Sequence, residues 1–155
     1  MDDVEPRVAF DANVFFYAVD KRAPKKHRAC AALLQNAMAA EIGCVPLQAL
    51  GEFAYAAVRK GVLTRPAAAA AARDWAVVFA VITASQEAFD LALDWWRDER
   101  LSYWDALLVA TACKTRVTAL VTEDLSDGMV FAGVEVISPF AKGFEGRVAA
   151  HGIEF

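Results

Sequence analysis

The chain has 155 residues, about the length of one domain. It is 57% hydrophobic and 23% charged, which excludes a disordered segment or a fibrous repeat, and its longest uncharged runs, such as Trp75 to Gln86, fall short of the ~18 residues that a membrane span requires. Sixteen basic residues against twenty acidic give a net charge of −4; a dedicated nucleic-acid binder carries the opposite balance, so any nucleic acid is handled at a local site with a cation in it.

Taken in chain order, apolar runs alternate with helical patterns. Met1 to Glu5 is acidic, with no basic-then-apolar leader, so a cytoplasmic protein is expected. Arg7-Val8-Ala9-Phe10-Asp11 reads as a first strand, and Asn13 as the cap of a short helix from Val14 to Val19. Pro24 opens a helix to Ala40, with Cys30, Leu33, Leu34, Ala37 and Met38 on its apolar face. Ile42 to Val45 is a buried strand. Pro46 precedes a helix that Gly61 stops, and Pro66 opens an alanine-rich helix running into a strand, Val78 to Ile82.

Ser85 caps a helix to Arg100, and Ser102-Tyr103-Trp104-Asp105 matches a capping box ahead of a helix to Lys114. Val117 to Thr122 and Val134 to Ile137 are the last strands, and residues 143–155 form a tail without an assigned element. No linker or repeat is visible. The three cysteines form no C-x-x-C and sit among apolar neighbours, as reduced core thiols do; His27 and His151 have no zinc spacing.

Alternating strands and helices imply a parallel sheet with helices on both faces, and such sheets bind ligands outside the carboxyl ends of their strands. Two acids end apolar strands: Asp11 and Asp124. A carboxylate directly after a buried strand is costly unless it is paired or bound to a cation. Asp11 could instead serve only as a turn former or helix cap. Asp105 fills the capping box, yet Leu108, Val109 and Ala112 put it on an inward face. Glu52, with Gln48 and Arg59 along its face, reads by itself more naturally as a solvated residue than as a functional one, and one of Glu123, Asp124 and Asp127 is simply loop.

Four carboxylates brought together repel, and a hard cation with oxygen ligands makes them tolerable. Mg²⁺ or Mn²⁺ suits that donor set, in which no thiolate or histidine takes part. Such sites serve phosphoryl hydrolysis.

The order Asp11-Ala12-Asn13, Glu52, Asp105, Thr122-Glu123-Asp124 resembles that of PIN (PilT N-terminus) domains, and the stretch from Leu120 to Gly128 followed by Val136 to Phe140 resembles the VapC-type toxins in particular. The likeness spans Val8 to Phe140. It implies a three-layer α/β/α domain over residues 1–142, with a central parallel sheet of four to five strands, and a tail from residue 143 outside the pattern. It implies an endoribonuclease that uses Mg²⁺ or Mn²⁺, acts on RNA, forms a homodimer and is held in check by a cognate antitoxin. Carried over, Asp11, Glu52, Asp105 and Asp124 are the catalytic, metal-binding acids, with Asn13 and Thr122 orienting them. Ser138 stands where related chains often carry Asn.

The basic cluster around Lys25, Lys26 and Arg28, and Trp104 beside Asp105, are candidate RNA contacts by phosphate pairing and base stacking. The adjacent Phe15, Phe16 and Tyr17 cannot all face one core, so at least one is expected to be exposed or at an interface, on a face suited to the antitoxin. Three alternatives stay open. An aspartyl phosphatase would use Asp11 as nucleophile, but Asn13 replaces its usual second acid. A receiver domain needs a lysine ending a late strand. A catalytically weak PIN-like scaffold would lose acids that this chain keeps.

Overall fold

The computed structural model describes residues 7–155; the acidic Met1 to Glu5 segment lies outside them. Six strands form one sheet in the order β3-β2-β1-β4-β6-β5. These are β1 (Arg7–Phe10), β2 (Gly43–Pro46), β3 (Ala80–Ile82), β4 (Val117–Val121), β5 (Val130–Phe131) and β6 (Val134–Ile137). The first four and β6 run parallel, as the alternation of elements requires. β5 pairs antiparallel with β6 and is a sixth strand beyond the four to five expected.

Among the described residues seven helices flank the sheet: α1 (Ala12–Val19), α2 (Pro24–Ala40), α3 (Leu47–Arg59), α4 (Arg65–Val78), α5 (Gln86–Arg97), α6 (Tyr103–Cys113) and α7 (Phe144–Ala149). Side-chain alternation along the central strands divides the interior into two cores. Val8 and Phe10 of β1 point into a core built with α1, α2, α3 and α7. Ala9 points the other way, into a core built with α5 and α6. The result is a three-layer α/β/α architecture. Gly43 is required where β2 begins: a Cβ there would meet the Phe79 ring at 2.6 Å. Among the described residues no helix is long and apolar enough to cross a membrane. Cys30 and Cys44 are buried free thiols whose pKa burial pushes up to about 12, so they are inert core residues.

Several local expectations shift. The apolar run from Val78 divides: Val78 still belongs to α4, and only Ala80–Ile82 is strand. Asp11, not Asn13, caps α1. Phe15 and Phe16 are both buried and Tyr17 is half-buried against the same core, so one core takes all three and none is fully exposed. The reason is geometric: α1 is wedged between the sheet, α2 and α3, and so buries more than one face.

The tail also packs. Phe144, Val148 and Ile153 are buried in the larger core. Arg147 fixes α7 to the sheet: it donates to both oxygens of Asp127 at 2.7 and 2.8 Å, to Glu135 at 3.0 Å and to the Val136 carbonyl at 3.1 Å. His151 closes the network against Glu135 at 2.8 Å and Thr118 at 2.9 Å. Arg147→Ala should lower stability by about 2 kcal/mol, a bidentate charged pair discounted for partial solvent screening. Lysine, lacking the guanidinium fork, should restore only part of the loss. Denaturant midpoints measure both, and an unchanged midpoint in the alanine variant would show that the network contributes nothing.

Candidate active site

β1 and β4 are neighbours at the centre of the sheet, and the chain leaves them toward opposite sides. That divergence opens a crevice at their carboxyl ends. Asp11 follows β1 and Thr122 follows β4, so the two meet there. Asp11 is 4% exposed and Thr122 fully buried. The Thr122 hydroxyl donates to Asp11 Oδ2 at 2.7 Å, and the Ala12 amide donates to Asp11 Oδ1 at 2.7 Å. The cap and the site are therefore one carboxylate, since Asp11 satisfies an orphan amide of α1 while facing the crevice.

Asn13, one turn into α1, extends the cluster. Its Nδ2 donates to Thr122 Oγ1 and to Asp124 Oδ2, each at 3.2 Å. The Asp124 amide donates to Thr122 Oγ1 at 3.1 Å. Thr122 thus ties together β1, α1 and the loop after β4. Among the described residues Asn13 Oδ1 is buried without a hydrogen-bond partner, which leaves one acceptor of the cluster unsatisfied.

Glu52 enters from α3. It lines a cleft of about 200 Å³ with Asn13, Tyr17, Lys60, Glu123 and Asp124. Gln48, one turn earlier, donates to Glu52 Oε1 at 2.9 Å and to the Trp104 carbonyl at 3.3 Å, joining α3 to the start of α6. Asp105 sits at that start. Its amide donates to Ser102 Oγ at 3.4 Å, which is the cap, yet among the described residues its carboxylate makes no hydrogen bond back. Half of the capping box forms and the acid stays free.

The electrostatics set Asp11 apart. Its pKa is pushed up to about 6, first by burial and then by the charges of Asp124 and Glu52, against the hydrogen bonds from Thr122 and Ala12. Among the described residues no cation offsets its charge. By contrast, Glu123 accepts from Tyr17 Oη at 3.0 Å and Lys26 Nζ at 3.0 Å. Asp127 lies with Arg147, and the Ser138 amide, then that guanidinium, hold its carboxyl below the usual carboxylate range. Of the three acids after β4, two are neutralised in place and only Asp124 joins Asp11.

Among the described residues, no three histidine, cysteine, aspartate or glutamate side chains stand close enough together to hold a metal ion. The donor chemistry nevertheless fits Mg²⁺. Every candidate ligand is a hard oxygen, the central carboxylate is under-compensated, and an amide oxygen is orphaned beside it. Mg²⁺ keeps several waters and takes one or two carboxylates directly, so it does not need a tight cage.

Around this centre, Lys26 is committed to Glu123 and lies 4.7 and 4.8 Å from the Tyr17 and Phe140 ring centroids. Lys25 and Arg28 are exposed. Trp104 is 62% exposed and lines an apolar groove with Leu47, Ile82 and Leu107. The bridging role of Gln48 and the Tyr17–Lys26–Glu123 group were not foreseen. Only the i, i+4 spacing of Gln48 and Glu52 signalled either.

The fold is an open α/β sheet with an acidic crevice at its switch point. The chain belongs to the PIN domain family, whose model matches residues 8–126. No curated protein matches its sequence. Among solved structures it is similar to a chain of a toxin–antitoxin complex from Klebsiella pneumoniae, at 21% identity over 86% of this chain and 98% of that one, with a TM-score of 0.60. The sarcin–ricin-loop-cleaving toxin VapC20 of Mycobacterium tuberculosis is similar at 20% identity over 73% of this chain and 86% of that one, with a TM-score of 0.58. A DNA-bound VapBC of Salmonella typhimurium has 14% identity over 86% and 98% of the two chains, with a TM-score of 0.61. At these identities the likeness shows the shared fold.

Proposed function

We propose that this PIN-domain protein is a Mg²⁺- or Mn²⁺-dependent endoribonuclease, the toxin of a toxin–antitoxin pair. The observation that carries the nuclease reading is Asp11: buried, uncompensated and fixed by Thr122 beside Asp124 and Asn13. The printed descriptions of its structural neighbours, toxin–antitoxin proteins and an RNA-cleaving toxin, support the biological role.

Asp11, Asp124, Glu52 and Asp105 would hold the ion. Bound there, the ion supplies a water of lowered pKa and a counter-charge for the leaving oxygen. Thr122 keeps the Asp11 carboxylate turned toward the crevice. Asn13 holds Asp124 in place through its Nδ2 donor. Gln48 sets the distance between Glu52 and Asp105. Lys25, Lys26 and Arg28 would meet RNA phosphates, and Trp104 would stack a base.

The antitoxin would be a separate protein sending an arginine or lysine into the anionic crevice, where its donors pair with carboxylates. The functional unit would be a cytoplasmic homodimer.

Incubation with total RNA tests the enzyme reading. Cleavage should require Mg²⁺ or Mn²⁺, stop in chelator and leave 5′-phosphate and 3′-hydroxyl ends. Cyclic phosphates that persist in EDTA would overturn the metal mechanism. A protein that binds the ion but cuts nothing would be the scaffold alternative. Harmless expression without any partner would count against the toxin role while leaving the nuclease intact.

A further inference from the structure

We propose that Lys60 binds a backbone phosphate of the substrate strand next to the scissile bond, an inference that rests on the ribonuclease reading. Lys60 is the C-cap of α3 and the one basic side chain lining the cleft that holds Asn13, Glu52 and Asp124. Its placement is enforced from two directions. Its ammonium lies 4.8 Å from the Phe16 ring centroid, and Phe16 is itself buried. Its carbonyl, one of those left open at a helix end, accepts from Arg22 Nη1 at 3.1 Å. Arg22 is held in turn by Asp20, which is only 6% exposed, at 2.8 Å. A buried acid, an arginine and an aromatic face thus fix one lysine at the lip of an anionic crevice.

What distinguishes Lys60 from Lys26 is that no carboxylate lies in ion-pair contact with it, although Asp20 attracts it from further off. Lys26 pairs with Glu123 at 3.0 Å; among the described residues Lys60 forms no ion pair. A strand entering this cleft meets Glu52, Glu123 and Asp124, and its phosphates are repelled except where a cation receives them. A lysine already held over a ring gives up little further freedom on meeting a phosphate. As a point charge it accepts that phosphate in any orientation, so the contact fixes position along the strand and carries no base preference.

The test is the salt dependence of RNA binding, read by fluorescence anisotropy with a short single-stranded RNA of mixed sequence, in chelator so that the strand is not cut. Each phosphate neutralised on a single strand contributes about 0.7 to the slope of log affinity against log salt. Lys60→Gln should lower the slope by about that amount. Lys60→Arg should keep it, and Lys114→Gln, at the opposite end of the sheet, should leave it unchanged. RNA binding with the wild-type slope retained in Lys60→Gln overturns this inference alone. RNA bound by none of the proteins, neither in chelator nor with Mg²⁺ added, overturns the ribonuclease reading and this inference with it.

Discussion

Asp11→Asn should abolish RNA cleavage and leave the metal-free protein at least as stable as the wild type at neutral pH. Both effects follow from the buried carboxylate. Its pKa is raised from the ordinary aspartate value of 3.8 to about 6, so folding disfavours the charged form. The stability contributed by the protonated group is complete below about pH 4 and is lost as pH rises through about 6. At pH 7 the ionised group costs about 3 kcal/mol. Asparagine removes that cost but leaves the Thr122 hydroxyl or the Ala12 amide without an acceptor, a loss of about 1 kcal/mol. The net expectation is a gain of about 2 kcal/mol in chelator, seen as a higher thermal midpoint at pH 7 and no gain at pH 4. Asp105→Asn should also end cleavage, with little change in stability, because its carboxylate is half-exposed and unpaired. Full activity in either variant would remove that acid from the mechanism; a destabilised Asp11→Asn at pH 7 would mean that the hydrogen bonds outweigh the burial cost.

Truncation after Lys142 should unfold the protein or bring it to the edge of unfolding. The removed segment carries Phe144, Val148 and Ile153, all buried in the larger core. At ~1.5–3 kcal/mol each, they contribute about 5–9 kcal/mol, comparable with the whole stability of an ordinary domain. Phe144→Ala alone should cost about 3 kcal/mol and gives a measurable folded variant if the truncated chain does not accumulate. Circular dichroism melts decide. A truncated chain melting near the wild type would make residues 143–155 an appendage, separable from the domain that the sequence pattern ends at residue 142.

The central site was legible because its signal is local. A carboxylate directly after a buried strand is visible as a letter pattern at Asp11 and Asp124, and Ser102 to Asp105 announces a helix start by spacing alone. What neutralises the neighbouring acids was not legible. Glu123 is answered by Lys26, 97 positions away, and Asp127 by Arg147, 20 positions away; no local pattern encodes such pairings.

The same division holds for the fold. β5 escaped notice because it is two residues long and its hairpin turns on Ala132 and Gly133, with φ of 45° and 86°. A turn of that kind favours Asn-Gly, and alanine at its first position gives no warning. α7 is six residues long and contains Gly146, so its helicity comes from Arg147 and the core rather than from propensity. The run through Val78 and Phe79 carries no stop signal, which is why the end of α4 was read as strand.

The borders of the sheet constrain how other chains can approach. β3 at one rim is three residues long, and β5 at the other is two. A foreign strand laid along either rim would find almost no ladder of amides and carbonyls to grip, and short rims of this kind are a common protection against runaway strand addition. Recognition of this protein must therefore be read from side chains, on its helices and crevice, rather than by extending its backbone.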